Sequence, residues 1–370
     1  MARILFVTEA NVGGSPRSQR ELAHQLLRRG HEVRFLAVRP KVHVATRAAY
    51  DKLSDASVRF PGLVGQVAKQ ARRLVGRHVT PATVDGLPYV YASIAANGLP
   101  RALDLYRPDV VVANSVERWT WRQIHETCRA RRIATILYVR EDDSLKHLDA
   151  GAVPDVLVAN AASLARTLAS NGHECHFIPS VVDTAVTETQ SSRQCVLAIN
   201  PIPSRGGAIF WAVAERLPTI PFVMQEAWPL EGEMLRETLA LAALYPNVEF
   251  RRRIPPSPEL YRDAKLLMVP YRVDNRPRVI LEAQANGIPA VVGDVPALIE
   301  AVGDAGLSVP LDDVEQWSKA IAAIWEDDAH YADLVEAARR RSRLPDVDPA
   351  QLTSQFEVLV DQAIDVARAS

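Results

Sequence analysis

From end to end the chain alternates short, largely apolar runs with longer amphipathic stretches. No other feature limits the fold as strongly. The runs are RILFVT, EVRFLAV, DVVVAN, ATILYV, VLVAN, CHFIP, VLAIN, PFVM, VEF, KLLMVP and AVVG. Most lack the in–out alternation of a strand with one wet face, so they suit strands buried on both sides. Segments with helical spacing lie between them, among them 15–29, 118–131, 161–171, 231–244 and 278–286. Parallel strands need crossover connections, and helical crossovers cover both faces of the sheet. The class expected is therefore α/β.

The alternation restarts near Cys195, after a polar stretch from Asp183 to Gln194 that reads as a linker. With 370 residues, two Rossmann-like domains are expected, 1–184 and 185–349, with parallel sheets facing a central cleft. A last helical pattern, Pro349 to Ala369, follows the Pro-containing break SRLPDVDPA. It is expected to leave the second domain and pack, over about 350–370, on the first. Charge divides along the same line. Residues 1–180 carry 25 Lys and Arg against 16 Asp and Glu, and residues 181–370 carry 18 against 28. A basic half suits an anionic partner; uneven surface charge without function fits the same counts.

Three cysteines, Cys128, Cys175 and Cys195, without paired spacing argue against a disulfide scaffold or a structural zinc site and fit a reducing, cytoplasmic location. The start MARILFVTEA reads as a buried strand rather than a signal peptide. No apolar run approaches the roughly 18 residues a membrane helix needs. A Val/Ala/Arg-rich composition with few lysines hints at a bacterial source. One insertion, Lys41–Leu99, departs from the tight alternation. It contains LVGQVAKQARRLVGRH, with apolar residues at Val64, Val67, Ala71, Leu74 and Val75 and with Lys69, Arg72, Arg73 and Arg77 between them. A basic amphipathic helix of this kind suits peripheral contact with an anionic membrane face. Docking on its own domain with a solvated basic side is the other reading.

Three turns at strand ends carry candidate chemistry. The first strand runs into Gly13-Gly14 and then a helix, where a backbone free of side chains and the helix N-terminus can receive an anion. The dinucleotide fingerprint G-x-G-x-x-G is absent, which argues against a nicotinamide oxidoreductase. The second half opens with VLAINPIPSRGG, placing Arg205 before Gly206-Gly207 and a helix. An arginine there can hold phosphate in a bidentate fork, or it is a surface arginine beside a turn. The third turn is YRVDNRPRVILEAQANGIPAV. Pro277 suits a first helical turn, leaving the N–H groups of Arg278 and Val279 open to phosphate oxygens. Glu282, on the same face as Arg278, is placed to accept from a ribose diol, with an ordinary helix ion pair as the other reading, and Asp274 is placed to meet a sugar beyond the phosphates.

These stretches, with YRPDVVVANS and FIPSVVD, resemble glycosyltransferase family 4, and RVILEAQANGIPAVVGDVPALIEAVGDAGLSV is the most specific part. The resemblance covers nearly the whole chain. It implies the GT-B fold and retaining transfer from a nucleoside-diphosphate sugar to a hydroxyl acceptor. It further implies an acceptor-binding first domain, a donor-binding second domain and no obligatory metal or other cofactor. The acceptor would be a carbohydrate, a lipid-linked carbohydrate or a small molecule, and no nucleic acid is expected. The family's E-x7-E pair falls on Asp274 and Glu282, its diphosphate lysine on Arg205 and that lysine's partner arginine on Asn200. Departures are Asp274 for Glu, Pro277 for Gly, Asn200 for Arg, Ser180 for Asn, and YVREDDS where many members carry a histidine. Arg140 is the candidate stand-in for that histidine, with pairing to Glu141 or Asp142 as the other reading. Arg276 and Arg278 offset the missing charge at the diphosphate. A sugar-nucleotide epimerase or an inactive nucleotide-binding protein of the same fold is the alternative.

Overall fold

A computed structural model describes residues 1–9, 13–39, 44–60, 62–114, 116–141, 148 and 151–369. The chain divides into two compact units, Met1–Ala159 with Leu168–Ile178 and Thr353–Ser370, and Asn160–Thr167 with Pro179–Leu352.

In chain order the first unit's elements are β1 (Arg3–Thr8), α1 (Gly14–Arg28), β2 (Glu32–Val38), α2 (Val44–Arg59), α3 (Leu63–Leu74), β3 (Val79–Val84), β4 (Leu87–Ala92), α4 (Ala95–Tyr106), β5 (Val110–Asn114), α5 (Arg118–Arg129), β6 (Ala134–Val139) and β7 (Val156–Ala159). Helix α6 (Ala162–Ser170) and the short β8 (His176–Phe177) follow. The sheet order is β3-β4-β2-β1-β5-β6-β7-β8, parallel except for the β3–β4 hairpin. That hairpin lies in the stretch where the sequence pattern showed only an insertion. Asp85 and Gly86, both at positive φ, turn it. The segment opening the insertion, 40–43, lies outside the described residues. The last helix, α13 (Pro349–Ala369), contributes Phe356, stacked 6.4 Å from Phe6, and Glu357, which accepts from Arg29 at 2.6 Å. His31 Nε2 lies 2.9 Å from the same carboxylate.

The second unit runs β9 (Cys195–Ile199), α7 (Gly207–Arg216), β10 (Phe222–Gln225), α8 (Gly232–Leu244), β11 (Val248–Arg251), β12 (Ala264–Val269), α9 (Arg278–Ala285), β13 (Ala290–Gly293), α10 (Pro296–Val302), β14 (Gly306–Val309), α11 (Val314–Glu326) and α12 (Asp328–Arg341). Every strand pair here is parallel, in the order β11-β10-β9-β12-β13-β14. Strand β9 shows why an unbroken apolar run was needed. Val196 and Ala198 face one core with Phe210 and Trp317, and Leu197 and Ile199 face the other with Tyr261 and Ile280. The strand order reverses between β9 and β12. In open α/β sheets the crevice at such a reversal, beyond the carboxyl ends of the strands, is where ligands bind.

Candidate functional site

The loops after β9 and β12 meet at this reversal. Tyr271, buried just past β12, donates its hydroxyl to the carbonyl of Ile199 at 2.7 Å. Gly206 sits at φ 78°, and a Cβ there would stand 1.9 Å from the carbonyl oxygen of Pro270. Only glycine lets the two loops close to this distance, which is the physical content of the Gly206-Gly207 signal. The contact fixes Arg205. Its guanidinium lies 4.6 Å from the ring centroid of Trp228 and 4.8 Å from that of Tyr271. Two aromatic faces thus hold a permanent cation at the mouth, and its ordering entropy is already spent before any anion arrives.

Asn200, one residue past β9, holds a left-handed backbone at φ 55°, which asparagine tolerates better than most residues. Its side chain is buried. The Oδ1 accepts from the amides of Ala227 and Trp228, and so anchors the loop that carries Trp228, while its Nδ2 finds no hydrogen-bond partner among the described residues. Glu226 next door is buried too. Its carboxylate accepts from the amides of Leu230 and Arg253 and pairs with Arg252. Nothing in a lone Gln-Glu pair of the sequence pointed to this. Trp228, Tyr261 and Tyr271 were also missed, because an aromatic in an apolar context reads as core.

The third turn opens helix α9 with Pro277 as its cap rather than inside its first turn. The difference is one residue. Among the described residues no side chain caps the helix, and the amides of a helix's first turn have no carbonyl one turn earlier to donate to. The C-terminal end closes at Asn286-Gly287, with Gly287 at φ 64° and the Ile288 amide bonded to the carbonyl of Ala283.

Two acids differ in setting from the sequence expectation. Glu282 was expected to face a ribose, but its carboxylate is 1% exposed. Arg278 Nε donates to Oε1 at 2.8 Å, and Tyr261 donates to Oε2 at 2.8 Å. The cause is the i,i+4 spacing itself, which puts Arg278 within reach on a helix face that is buried. Asp274 is half-buried, and its Oδ1 accepts from the amide of Ala297 at 2.9 Å and from Ser163 at 3.3 Å. Ala297 is in the first turn of α10, so Asp274 does for that helix what a capping side chain does. Arg276 lies half-buried in the same loop.

The remaining candidates lie in the first unit. Gly13, at φ 109°, caps α1 and Gly14 begins it, while residues 10–12 just before them are outside the described set. Arg140 follows β6 and is buried. Its Nε donates to Asn114 Oδ1 at 3.3 Å, and its guanidinium stands 4.0 Å from the Tyr138 ring centroid. Asn114 in turn donates to Ser15 at 3.1 Å. Arg140 is thus tied to the β1–β5 reversal of its own sheet; Asp142, one of its expected pairing partners, lies outside the described residues. Among the described residues no three His, Cys, Asp or Glu side chains converge as metal ligands would.

Comparison with known proteins points the same way as the site. Residues 226–327 match the family model Glycosyl transferases group 1. A stretch of 111 residues is 34% identical to D-inositol 3-phosphate glycosyltransferase of Salinispora arenicola, covering 28% of this chain and 25% of that one. The match therefore spans a quarter of the curated relative's length. Among solved structures, the sucrose-phosphate synthase of Thermosynechococcus elongatus aligns over 99% of this chain and 100% of its own, with a TM-score of 0.74 at 14% identity. The Anabaena Alr3699/HepE structure in complex with UDP-glucose aligns over 98% and 100%, with a TM-score of 0.72 at 14% identity. At such identities the likeness speaks for the fold. The fold is α/β with two mainly parallel sheets, and it is that of the GT-B glycosyltransferases.

Proposed function

We propose that this chain is a glycosyltransferase that moves a sugar from a nucleoside-diphosphate sugar to a hydroxyl acceptor, with retention of anomeric configuration, as in family 4. The observation that carries the reading is Arg205, held between Trp228 and Tyr271 at the sheet reversal that also receives the uncapped end of α9. A diphosphate is the ligand this combination fits: one fixed cation, a helix start without a side-chain cap, and a buried donor on Asn200 that finds no partner among the described residues. The second unit is then the donor domain and the first the acceptor domain.

In the transfer, the acceptor oxygen bonds to the anomeric carbon as the bond from that carbon to the β-phosphate oxygen breaks. Attack from the leaving group's own face gives retention. The departing phosphate takes the acceptor's proton, so no metal and no further base is required. Arg205, Arg276 and the α9 amides stabilise the charge that grows on the diphosphate, as groups already oriented before reaction. Within the first unit, Gly13-Gly14 is a turn that can receive an anion, and Arg140 is a cationic contact for an acceptor. Asp274 orients the sugar while its Oδ1 is held by α10. Glu282 keeps Arg278 in place, and a direct ribose bond at Oε1 would have to displace that guanidinium. The test supplies UDP-, GDP- and TDP-sugars with candidate acceptors and follows nucleoside diphosphate release. Binding of one donor, with release that requires acceptor, supports the proposal. No binding of any nucleotide sugar overturns it. The engagement of Asp274 by Ala297 and Ser163 favours one second reading, a protein that binds the donor without transfer; tight binding without release under every acceptor would select it.

A further inference from the structure

Helix α3 is built the wrong way round for a helix docked by its apolar side. At 100° per residue, Leu63, Val67 and Leu74 fall within an arc of about 40°, with Ala71 and Val64 beside them. A stripe of this kind ordinarily turns inward. Here Leu63, Val64, Val67 and Leu74 are 59% to 76% exposed. The side that α3 buries is instead that of Gly65, Ala68 and Arg72. Gly65 makes this possible, since a Cβ there would lie 2.1 Å from the carbonyl oxygen of Phe60 at the end of α2. Phe60 and Val58, on the α2 side of the turn, are exposed as well. Six large apolar side chains thus stand in water on one hairpin of helices, where isolated exposed apolars would need no explanation but a contiguous group does.

The C-terminal end of the stripe opens on a cavity of about 650 Å³. Leu74 forms part of its wall, and Arg73, Arg77, His78 and Arg101 are in its lining. Asp104, the one acid among the described lining residues, is engaged by Arg131 at 2.7 Å, and Arg73 pairs with Glu126 at 2.9 Å. A basic recess that continues an exposed apolar stripe matches one occupant in both chemistry and order: a lipid phosphate beside its acyl chains.

We propose that α3 and this recess form a docking surface for an anionic phospholipid bilayer, with Leu63, Val64, Val67 and Leu74 entering the acyl boundary and Arg77 and Arg101 meeting headgroup phosphates. The surface belongs wholly to the first unit, and binding there does not depend on the donor reading above. The test is co-sedimentation of the full chain with phosphatidylcholine vesicles with and without phosphatidylglycerol. Binding is expected only when the anionic lipid is present and should weaken with salt. Leu63→Gln with Val64→Gln and Val67→Gln should reduce it at least tenfold. Arg77→Gln with Arg101→Gln should reduce it by about thirtyfold, at roughly fivefold per neutralised charge near the surface. All five positions are exposed, so an unchanged Tm establishes that the variants fold. Equal binding to neutral vesicles, or binding untouched by either set, overturns the proposal. So does self-association in sedimentation that the glutamine set abolishes while vesicle binding is absent, which would make the stripe a contact between copies. Inorganic phosphate that raises Tm through Arg77 and Arg101 without any vesicle binding also overturns it, in favour of a soluble anion.

Discussion

Glu282→Ala should be the most damaging single substitution in α9. The carboxylate is buried with two donors, Arg278 Nε and the Tyr261 hydroxyl, each at 2.8 Å. Truncation leaves the buried Arg278 guanidinium without its carboxylate, a loss of about 3–5 kcal/mol for a buried pair broken from one side. Tyr261 keeps a second, longer acceptor, the carbonyl of Val279 at 3.4 Å, so its share of the loss is small. At about 2–4 °C per kcal/mol for a unit of 150–250 residues, Tm should fall by roughly 6–20 °C. Replacing both partners, as Arg278→Met with Glu282→Met, should recover most of that loss, because an apolar pair of similar volume substitutes for a buried ion pair at little cost. Glu282→Gln should lie between. Thermal unfolding followed by circular dichroism reads all three, with the exposed Glu315→Ala as the unmoved control. If Glu282→Ala shifts Tm no more than that control, or the double variant is worse than either single one, the assignment of Glu282 as the buried anchor of Arg278 fails.

Three further outcomes follow from the same geometry. Gly206→Ala puts a Cβ against the Pro270 carbonyl at a positive φ and should weaken nucleotide binding at least tenfold by calorimetry, whereas Gly232→Ala, with φ 58° but open space around it, should leave binding intact. Burial pushes the thiols of Cys128, Cys175 and Cys195 up to about 12, so none should react with an alkylating reagent at pH 8 in the native protein, and all should react after denaturation, as read by mass spectrometry. The side-chain bond from Arg251 holds Glu249 below its ordinary 4.5, and Asp263 is held below 3.8 by bonds from Arg262 and Arg251 that outweigh its desolvation. Depressed carboxyls stabilise the fold above their ordinary values and lose that contribution as pH falls through the lowered ones. Arg251→Gln should therefore lower Tm at pH 7 and converge on the wild type in strong acid.

Most of the sheet strands were legible because they are buried on both faces and therefore largely apolar. RILFVT, EVRFLAV and ATILYV match β1, β2 and β6 to the residue. The β3–β4 hairpin was not, since Val79–Val84 lies at the edge with only partly buried side chains, and its one signal was Asp85-Gly86. Strand β14 was passed over because GLSV is short and half exposed. At the site, Arg205 and the two glycine-bearing turns could be read from position alone. What holds Arg205 could not. Trp228 and Tyr271 come from segments on either side of β11 and β12, and only folding brings them to one guanidinium. The spacing of Arg278 and Glu282 was visible too, yet it left a ligand contact and a helix ion pair both open. Burial of that helix face, which spacing alone does not encode, turned the pair inward.

The central claim is that Arg205 and the start of α9 hold a diphosphate. Calorimetric titration with UDP, GDP and TDP, on the wild type and on Arg205→Ala, tests it most directly. Binding of at least one nucleoside diphosphate is predicted, weakened at least tenfold in Arg205→Ala, with Tm little changed because the side chain is only half-buried. No binding by the wild type, or equal binding by the variant, would contradict it.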